Sequence, residues 1–312
     1  MNFQQLEYII AVENHRHFAR AADACFVTQP TLSMMIQKLE DEIGVKVFDR
    51  SKQPIVPTQA GVAVILQARK IIFEAAKMKE VINDLNGEIK GELKLGIIPT
   101  VAPYLLPLFL SSFLKKFPLL QIKIIEQTTS QLIESLKNQQ LDAAILSTPL
   151  NNNSLDERPL YYEPFLVYAP GNPSLMKKKF LIPADINTNE LWLLEEGHCM
   201  RAQAINLCEL RKKDVLISNL EYEAGSIETL KKMVDICKGI TILPELALSD
   251  LTKKELKNVR HFRSPEPVRE ISIVTYRHFI KQRIIDVLVD EIKKMIPEEM
   301  QSVKRRSITE ID

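Results

Sequence analysis

Apolar residues in the first 43 positions recur at three- and four-residue steps. Phe3, Leu6, Ile9, Ile10 and Val12 form one stripe, and HFARAADACF carries another, so two short amphipathic helices are predicted. A third helix is marked at both ends, with Thr28 as N-cap, Pro30 in the first turn and Gly44 after the last. On its wheel Leu32, Met35, Ile36, Leu39 and Ile43 point inward, while Ser33, Met34, Gln37 and Lys38 point outward. The period then changes to two short β-like runs in VKVFDRSKQPIVPT, separated by a turn. Helix, turn, capped helix and β-ribbon are the parts of a winged helix-turn-helix over residues 1–58.

Thr58 opens a helical pattern that runs without proline to Asn86-Gly87, a rod of about 43 Å at 1.5 Å per residue. Ile65, Ala68, Ile72, Ala75 and Ile82 form a seam along it, broken at Lys79. Such a seam predicts a linker helix over 59–89 that packs on a second chain; packing on its own domain is the alternative. From residue 90 strands alternate with helices. ELKLGII, LQIKIIEQT, LDAAILS, FLVYAP, LWLLEE, GITILP and ISIVTYR read as strands. VAPYLLPLFLSSFLKKF, SQLIESLKNQ, SIETLKKMVDICKG and IIDVLVDEIKKMI read as helices. That order predicts an α/β fold with parallel strands and crossover helices. It makes two lobes over 90–300 with a cleft between them, lobe I from 90–162 and 270–300, lobe II from 163–269. The polar end, 301–312, is expected to be a disordered tail.

Composition changes this picture little. Of 312 residues, 46% are hydrophobic and 26% charged, with a net charge of +1, which is ordinary for a globular chain and carries no global hint of a polyanion partner. Apolar runs such as LLPLFL fall far short of a membrane span. The start, MNFQQLEYIIAV, has no cationic leader region, so a cytoplasmic, reducing location is expected and a secreted solute-binding protein is disfavoured. In that setting Cys25, Cys199, Cys208 and Cys237 are not a permanent disulfide framework. With no CxxC or HxxxH spacing, P-loop or GxGxxG, neither a metal nor a nucleotide cofactor is expected.

The third helix carries the candidate DNA chemistry. Gln29, Thr31, Ser33, Gln37 and Lys38 suit base edges, and Met34 suits a thymine methyl. Arg50 and Lys52, on the wing, suit phosphates. Residues 1–60 nevertheless hold six basic and seven acidic side chains, so the usual basic footprint is missing. Binding to double-stranded DNA then requires charges sorted by face and two domains acting together. A helical protein-interaction module is the competing reading of these residues.

Residues 1–50, with RAAD, TQPTLS and KLEDEIGVKVFDR in order, resemble the DNA-binding domain of LysR-type transcriptional regulators. TQAG resembles the opening of that family's linker helix, and the lobes resemble its periplasmic-binding-protein-like effector domain. The resemblance spans nearly the whole chain. It implies a homodimer through the linker helices, paired into a homotetramer, that acts on promoter DNA and RNA polymerase.

GHC-x-R-x-QA-x-x-x-C, from Gly197 to Cys208, is similar to the redox segment of OxyR-type hydrogen-peroxide sensors. HRHF, GIIPTVAPYLLP and GITILP also match runs of that subfamily. The resemblance implies that Cys199 is the peroxide-reactive thiol and Cys208 the resolving thiol. It further implies that Thr100, Thr129, His198 and Arg269 line the peroxide pocket, and that glutaredoxin or thioredoxin resets the switch. One departure is Met200-Arg201-Ala202, where the subfamily usually has Leu-Arg-Asp.

Physical chemistry bears on the same residues. Cys199 opens a helical run, so helix-end amides and the neighbouring His198 and Arg201 are expected to favour its thiolate. Thr100, Thr129 and Arg269 are donors suited to a departing oxygen, if the fold gathers them. On one continuous helix, Cys199 and Cys208 are separated by a rise of about 13.5 Å and lie on opposite faces. A disulfide tolerates a Cα separation of only about 7 Å, so bonding the pair requires the helix to be rebuilt. Buried filler is the bland reading of both thiols. Two rival functions remain at this level: a LysR-type regulator that binds a small organic ligand in the cleft, and a thiol peroxidase. The latter leaves residues 1–90 without a purpose.

Overall fold

The computed structural model describes residues 1–86, 89–208, 224–277, 281–304 and 306–311. The chain divides into one unit over Met1–Glu88 and another over Ile89–Asp312.

The first unit holds α1 (Phe3–His15), α2 (Phe18–Ala24), α3 (Gln29–Ile43), the antiparallel pair β1 (Phe48–Asp49) and β2 (Val56–Pro57), and α4 (Gln59–Asn86). α3 starts where Thr28 Oγ1 accepts from Thr31 N at 3.4 Å, and it stops at Gly44, whose φ of 74° places it in the left-handed region. Leu32, Ile36 and Leu39 are fully buried against Leu6, Ile9 and Val12 of α1 and Ala21 and Ala22 of α2. Met35 and Ile43 pack at the edge of this core. Glu40, which no sequence pattern marks, has its carboxylate buried and accepts from Val47 N at 2.9 Å and Phe48 N at 3.4 Å, securing the start of the wing.

The seam of α4 is corrected in part. Ile65 and Ala68 are buried in the domain's own core, and Arg69 binds Glu13 at 2.5 Å and Asn14 at 2.6 Å. The first half of the seam therefore packs locally, because α1 lies alongside it. Side chains at 76, 77 and 79–86, with Lys79 and Ile82 among them, fall outside the described residues.

The second unit runs β3 (Gly91–Ile97), α5 (Ala102–Lys116), β4 (Leu120–Glu126), α6 (Thr129–Lys137), β5 (Ala143–Thr148), β6 (Leu155–Tyr168), α7 (Pro173–Met176), α8 (Cys199–Leu207), α9 (Ile227–Cys237), β7 (Thr241–Pro244), β8 (Val259–His261), β9 (Glu266–Tyr276), α10 (Gln282–Met295) and β10 (Arg306–Ile308). The sheet order is β4-β3-β5-β9-β6-β7, with β10 beside β9 and β8 beside β6. β3 pairs in parallel with β4 and β5, but β5–β9, β6–β9 and β6–β7 are antiparallel, so the sheet is mixed and not uniformly parallel. β6 and β9 are long strands that run through both halves. The first half of β6, LDERPLY, hid this role behind charges and Pro159, where the ladder slips register between Pro159 and Tyr161.

Two apolar cores result. One lies between β3, β5 and β9 and the helices α5, α6 and α10, and includes Leu95, Phe109, Phe113, Ile145, Ile273 and Leu288. The other holds Phe165, Val167, Trp192, Leu230, Val234 and Ile242. LWLLEE forms isolated bridges only, Leu191 to Ile240 and Leu194 to Ala224, and no continuous strand.

The expected disordered tail is also corrected. β10 pairs in parallel with the start of β9, Thr309 N donates to Val268 O at 2.8 Å, and Ile311 packs on the first core. Side chains of α8 hold the residues beyond β10: Gln203 Nε2 donates to Thr309 O at 3.0 Å and Asn206 Nδ2 to Glu310 O at 3.3 Å. Polar composition hid an ordered strand whose bonding partners are distant in sequence.

Candidate functional site

His198 is the N-cap residue of α8, and Gly197 before it has a φ of 96°, a conformation glycine adopts without strain. Cys199 is the first helical residue and Cys208 closes the last turn, donating its N–H to Ala204 O at 3.1 Å. Both are free thiols. The helix between them is unbroken, so the rise and opposed faces of the continuous helix apply as read from the spacing. Their surroundings differ too: Cys199 belongs to the first apolar core, whereas Cys208 packs against the second. The continuation of this helix expected past Cys208 lies outside the described residues.

Cys199 is 6% exposed. Burial pushes its thiol above the ordinary range; the positive charge of Arg269, the Thr129 hydroxyl and the amides of Met200 and Cys199 itself act in the opposite direction. Helix-end amides therefore favour the anion, as expected, but desolvation outweighs them. The net direction is up, a correction to the lowered pKa expected from local sequence. Cys208 is pushed up to about 11 by burial alone.

Arg269 sits on β9 and is completely buried. Its Nη1 donates to Thr100 Oγ1 at 3.0 Å and its Nη2 to Thr100 O at 3.1 Å. Its Nε donates to Glu163 Oε2 at 2.8 Å, and Nη2 lies 2.7 Å from the same oxygen. Because Thr100 Oγ1 already accepts from the guanidinium, its own hydrogen is available to another acceptor. Thr129, the first residue of α6, has a buried hydroxyl with no hydrogen-bond partner of ordinary geometry. A hydroxyl beside a buried thiol, with a buried cation acting on the same sulfur, is the donor chemistry that a small polar molecule would need. His198 is buried, with Nε2 3.6 Å from Glu195 Oε1. Arg201 is committed elsewhere, donating to Leu194 O at 2.6 Å.

The fold thus brings Thr100, Thr129 and Arg269 into electrostatic or hydrogen-bonding range of one another or of Cys199, and leaves Cys208 a helix-length away. Glu163 was missed. Its signal is a carboxylate set inside the apolar run YYEPFLVY, where a charge is rare unless paired. Among the described residues no cluster of His, Cys, Asp and Glu could hold a metal ion, and no helix is long and apolar enough to cross a membrane.

On α3, Gln29, Thr31, Met34, Gln37 and Lys38 are exposed, as are Arg50 and Lys52 beyond the wing strand. Ser33 is only half-exposed and accepts from Arg50 Nη1 at 3.3 Å. Arg50 also reaches Glu40 at 3.5 Å and stacks 5.1 Å over Phe18, so part of its charge is bound internally. Gln37, Lys46, Arg50 and Lys52 line an open groove of about 720 Å³ between α3 and the wing. Asp49 lines the same groove and lies 3.8 Å from Lys52, while Lys46 reaches Glu40 at 3.2 Å, so the cations gathered here are partly offset by neighbouring carboxylates.

Comparison with known proteins bears on both regions. Residues 3–62 match the family model for the bacterial regulatory helix-turn-helix protein, lysR family, and residues 86–296 match the LysR substrate binding domain. The hydrogen peroxide-inducible genes activator of Haemophilus influenzae is 36% identical over 302 residues, covering 95% of this chain and 99% of that protein. The DNA-binding transcriptional dual regulator OxyR of Escherichia coli K12 is 38% identical, covering 88% of this chain and 89% of that protein. A full-length OxyR variant from Pseudomonas aeruginosa has a similar structure, with a TM-score of 0.78 at 32% identity over 94% of this chain and 98% of that one.

Proposed function

We propose that this chain, which belongs to the LysR family of helix-turn-helix transcriptional regulators, senses hydrogen peroxide through Cys199 and Cys208 and conveys the redox state to promoter DNA. The observation that carries this reading is a buried thiol at the start of an unbroken helix, within electrostatic reach of a buried arginine and beside the Thr129 hydroxyl. In the first step the Cys199 sulfur attacks one peroxide oxygen, the O–O bond breaks, and hydroxide leaves with the thiol proton as water, producing a sulfenic acid. Hydrogens from Thr100 and Thr129 and the charge of Arg269 are suited to stabilise the departing oxygen. In the second step the Cys208 sulfur displaces that hydroxyl as a second water and closes the disulfide.

The second step requires α8 to come apart. It removes the Cys208–Ala204 bond and the Gln203 and Asn206 bonds to the chain end, and takes Cys208 out of the apolar site that holds its thiol protonated. Chemistry and shape are then one event. A homodimer paired into a homotetramer, engagement of RNA polymerase, and resetting by glutaredoxin or thioredoxin complete this reading. A peroxidase reading is disfavoured by residues 1–86, which fold into a DNA-binding domain that turnover does not need. A small-ligand reading has no observation in its favour that the thiol pair does not also meet.

Two expectations test the parts separately. Because burial raises the Cys199 thiol above its ordinary range, its rate of oxidation by peroxide should keep rising with pH from 6 to 9, read by rapid-quench peptide mass mapping. A flat profile opposes thiolate chemistry. For DNA, Gln37→Ala is expected to cost about 1–3 kcal/mol at one operator base pair and little at the others, measured by competition among single-base variants. A uniform loss at all positions assigns Gln37 to the backbone instead.

A further inference from the structure

Glu163 stands in no motif, yet it is completely buried and both carboxylate oxygens are committed. Oε2 takes Nε and Nη2 of Arg269 at 2.8 and 2.7 Å, while Oε1 accepts from Leu246 N at 2.9 Å. Glu163 and Arg269 are direct cross-strand partners on β6 and β9, so the pairing is built into the register of the two long strands. The guanidinium is held from two sides, by Glu163 on one edge and Thr100 on the other. A planar fork held at both edges cannot rotate. The pairing also has an electrostatic consequence. Arg269 is the cation that acts on Cys199, and a carboxylate 2.7 Å from that cation offsets much of its field.

We propose that Glu163 is a positioning residue of the thiol site: it holds Arg269 against Thr100, and it restrains Cys199 by offsetting the guanidinium charge. The first action favours peroxide chemistry and the second opposes it. The two together suit a thiol that must stay quiet between signals and yet hold its donors ready. Other ionisable groups around the pair are Tyr104, Tyr161 and Glu245, with His198 next to Cys199 in the chain. Tyr104 and Tyr161 are buried phenols whose titration is pushed up by burial, so the charge of Arg269 is balanced chiefly by Glu163, 2.7 Å away.

This inference rests on the sensor reading, and its test separates the two. Reduced full-length protein is treated with methyl methanethiosulfonate, a small thiolate-selective probe, from pH 5.5 to 10, and Cys199 is followed by peptide mass; a parallel series uses hydrogen peroxide. Glu163→Gln keeps the shape and removes the charge. Its methanethiosulfonate profile should move to lower pH, with Cys199 modified about tenfold faster at pH 7. Glu163→Asp keeps the charge and shortens the arm, drawing Arg269 away from Thr100. Its methanethiosulfonate profile should stay where it is in the unaltered chain while peroxide oxidation slows about tenfold at every pH. An unmoved Glu163→Gln profile, or equal displacement in both variants, overturns the proposal. If thermal melting shows that Glu163→Gln does not fold, Glu163→Asp decides alone: a displaced profile or an unchanged peroxide rate overturns it. An unaltered chain that reacts with methanethiosulfonate but not with peroxide removes the sensor reading and leaves the positioning result standing.

Discussion

A Cys199→Ser chain is expected to lose peroxide-driven oxidation altogether, with Cys208 remaining a thiol at peroxide levels that convert the unaltered chain completely. The oxygen of serine is not a nucleophile toward peroxide at neutral pH, and Cys208, pushed up to about 11 by burial, does not replace it. Cys208→Ser should behave differently. Sulfenic acid forms at Cys199 at the normal rate, persists for want of a partner and is captured by dimedone, while α8 stays helical. DNA-binding position, read by footprinting, should then remain that of the reduced protein in both variants. A disulfide still found in oxidised Cys199→Ser, whether through Cys25, Cys208 or Cys237, removes Cys199 from its role. A normal footprint change in oxidised Cys208→Ser breaks the link between bond formation and shape.

Arg269→Ala should combine the second largest functional loss with the largest loss of stability. Removing one partner of a fully buried ion pair leaves Glu163 with an uncompensated charge, at a cost of about 3–5 kcal/mol. It also frees Thr100, whose hydroxyl and carbonyl both bind the guanidinium. Peroxide oxidation of Cys199 is expected to slow about 100-fold or more, the scale of losing one preorganised donor at a developing oxyanion. Guanidinium denaturation and rapid-quench oxidation of the same preparation separate the two effects. Full stability with slow oxidation, or the reverse, shows that one of the two roles is misplaced.

Legibility in the sequence followed the range of the interactions involved. α3 was readable because Thr28, Pro30 and Gly44 act within a turn of themselves, and its inward face is a local periodicity. The first strand pairings, β3 with β4 and β5, were readable because helices separate them in order. β6 and β9 were not, since their partners lie about 100 residues away and Pro159 interrupts the alternation. The same reasoning explains the thiol. Amides that favour the Cys199 anion are sequence neighbours and were anticipated; the burial that outweighs them comes from a core assembled by β3, β5 and β9. Glu163 was hidden for that reason too, because a lone acidic residue has meaning only once Arg269 is across from it.

Residues 306–311 tie the last stretch of the chain to α8 and to the strand that carries Arg269. Anything fused beyond Asp312 is tethered within a few residues of the element that must rearrange. A purification handle or fluorescent partner there is expected to load the sensing helix through the Gln203 and Asn206 contacts. A shifted response in a reporter tagged beyond residue 311 would then record mechanical load as well as oxidant.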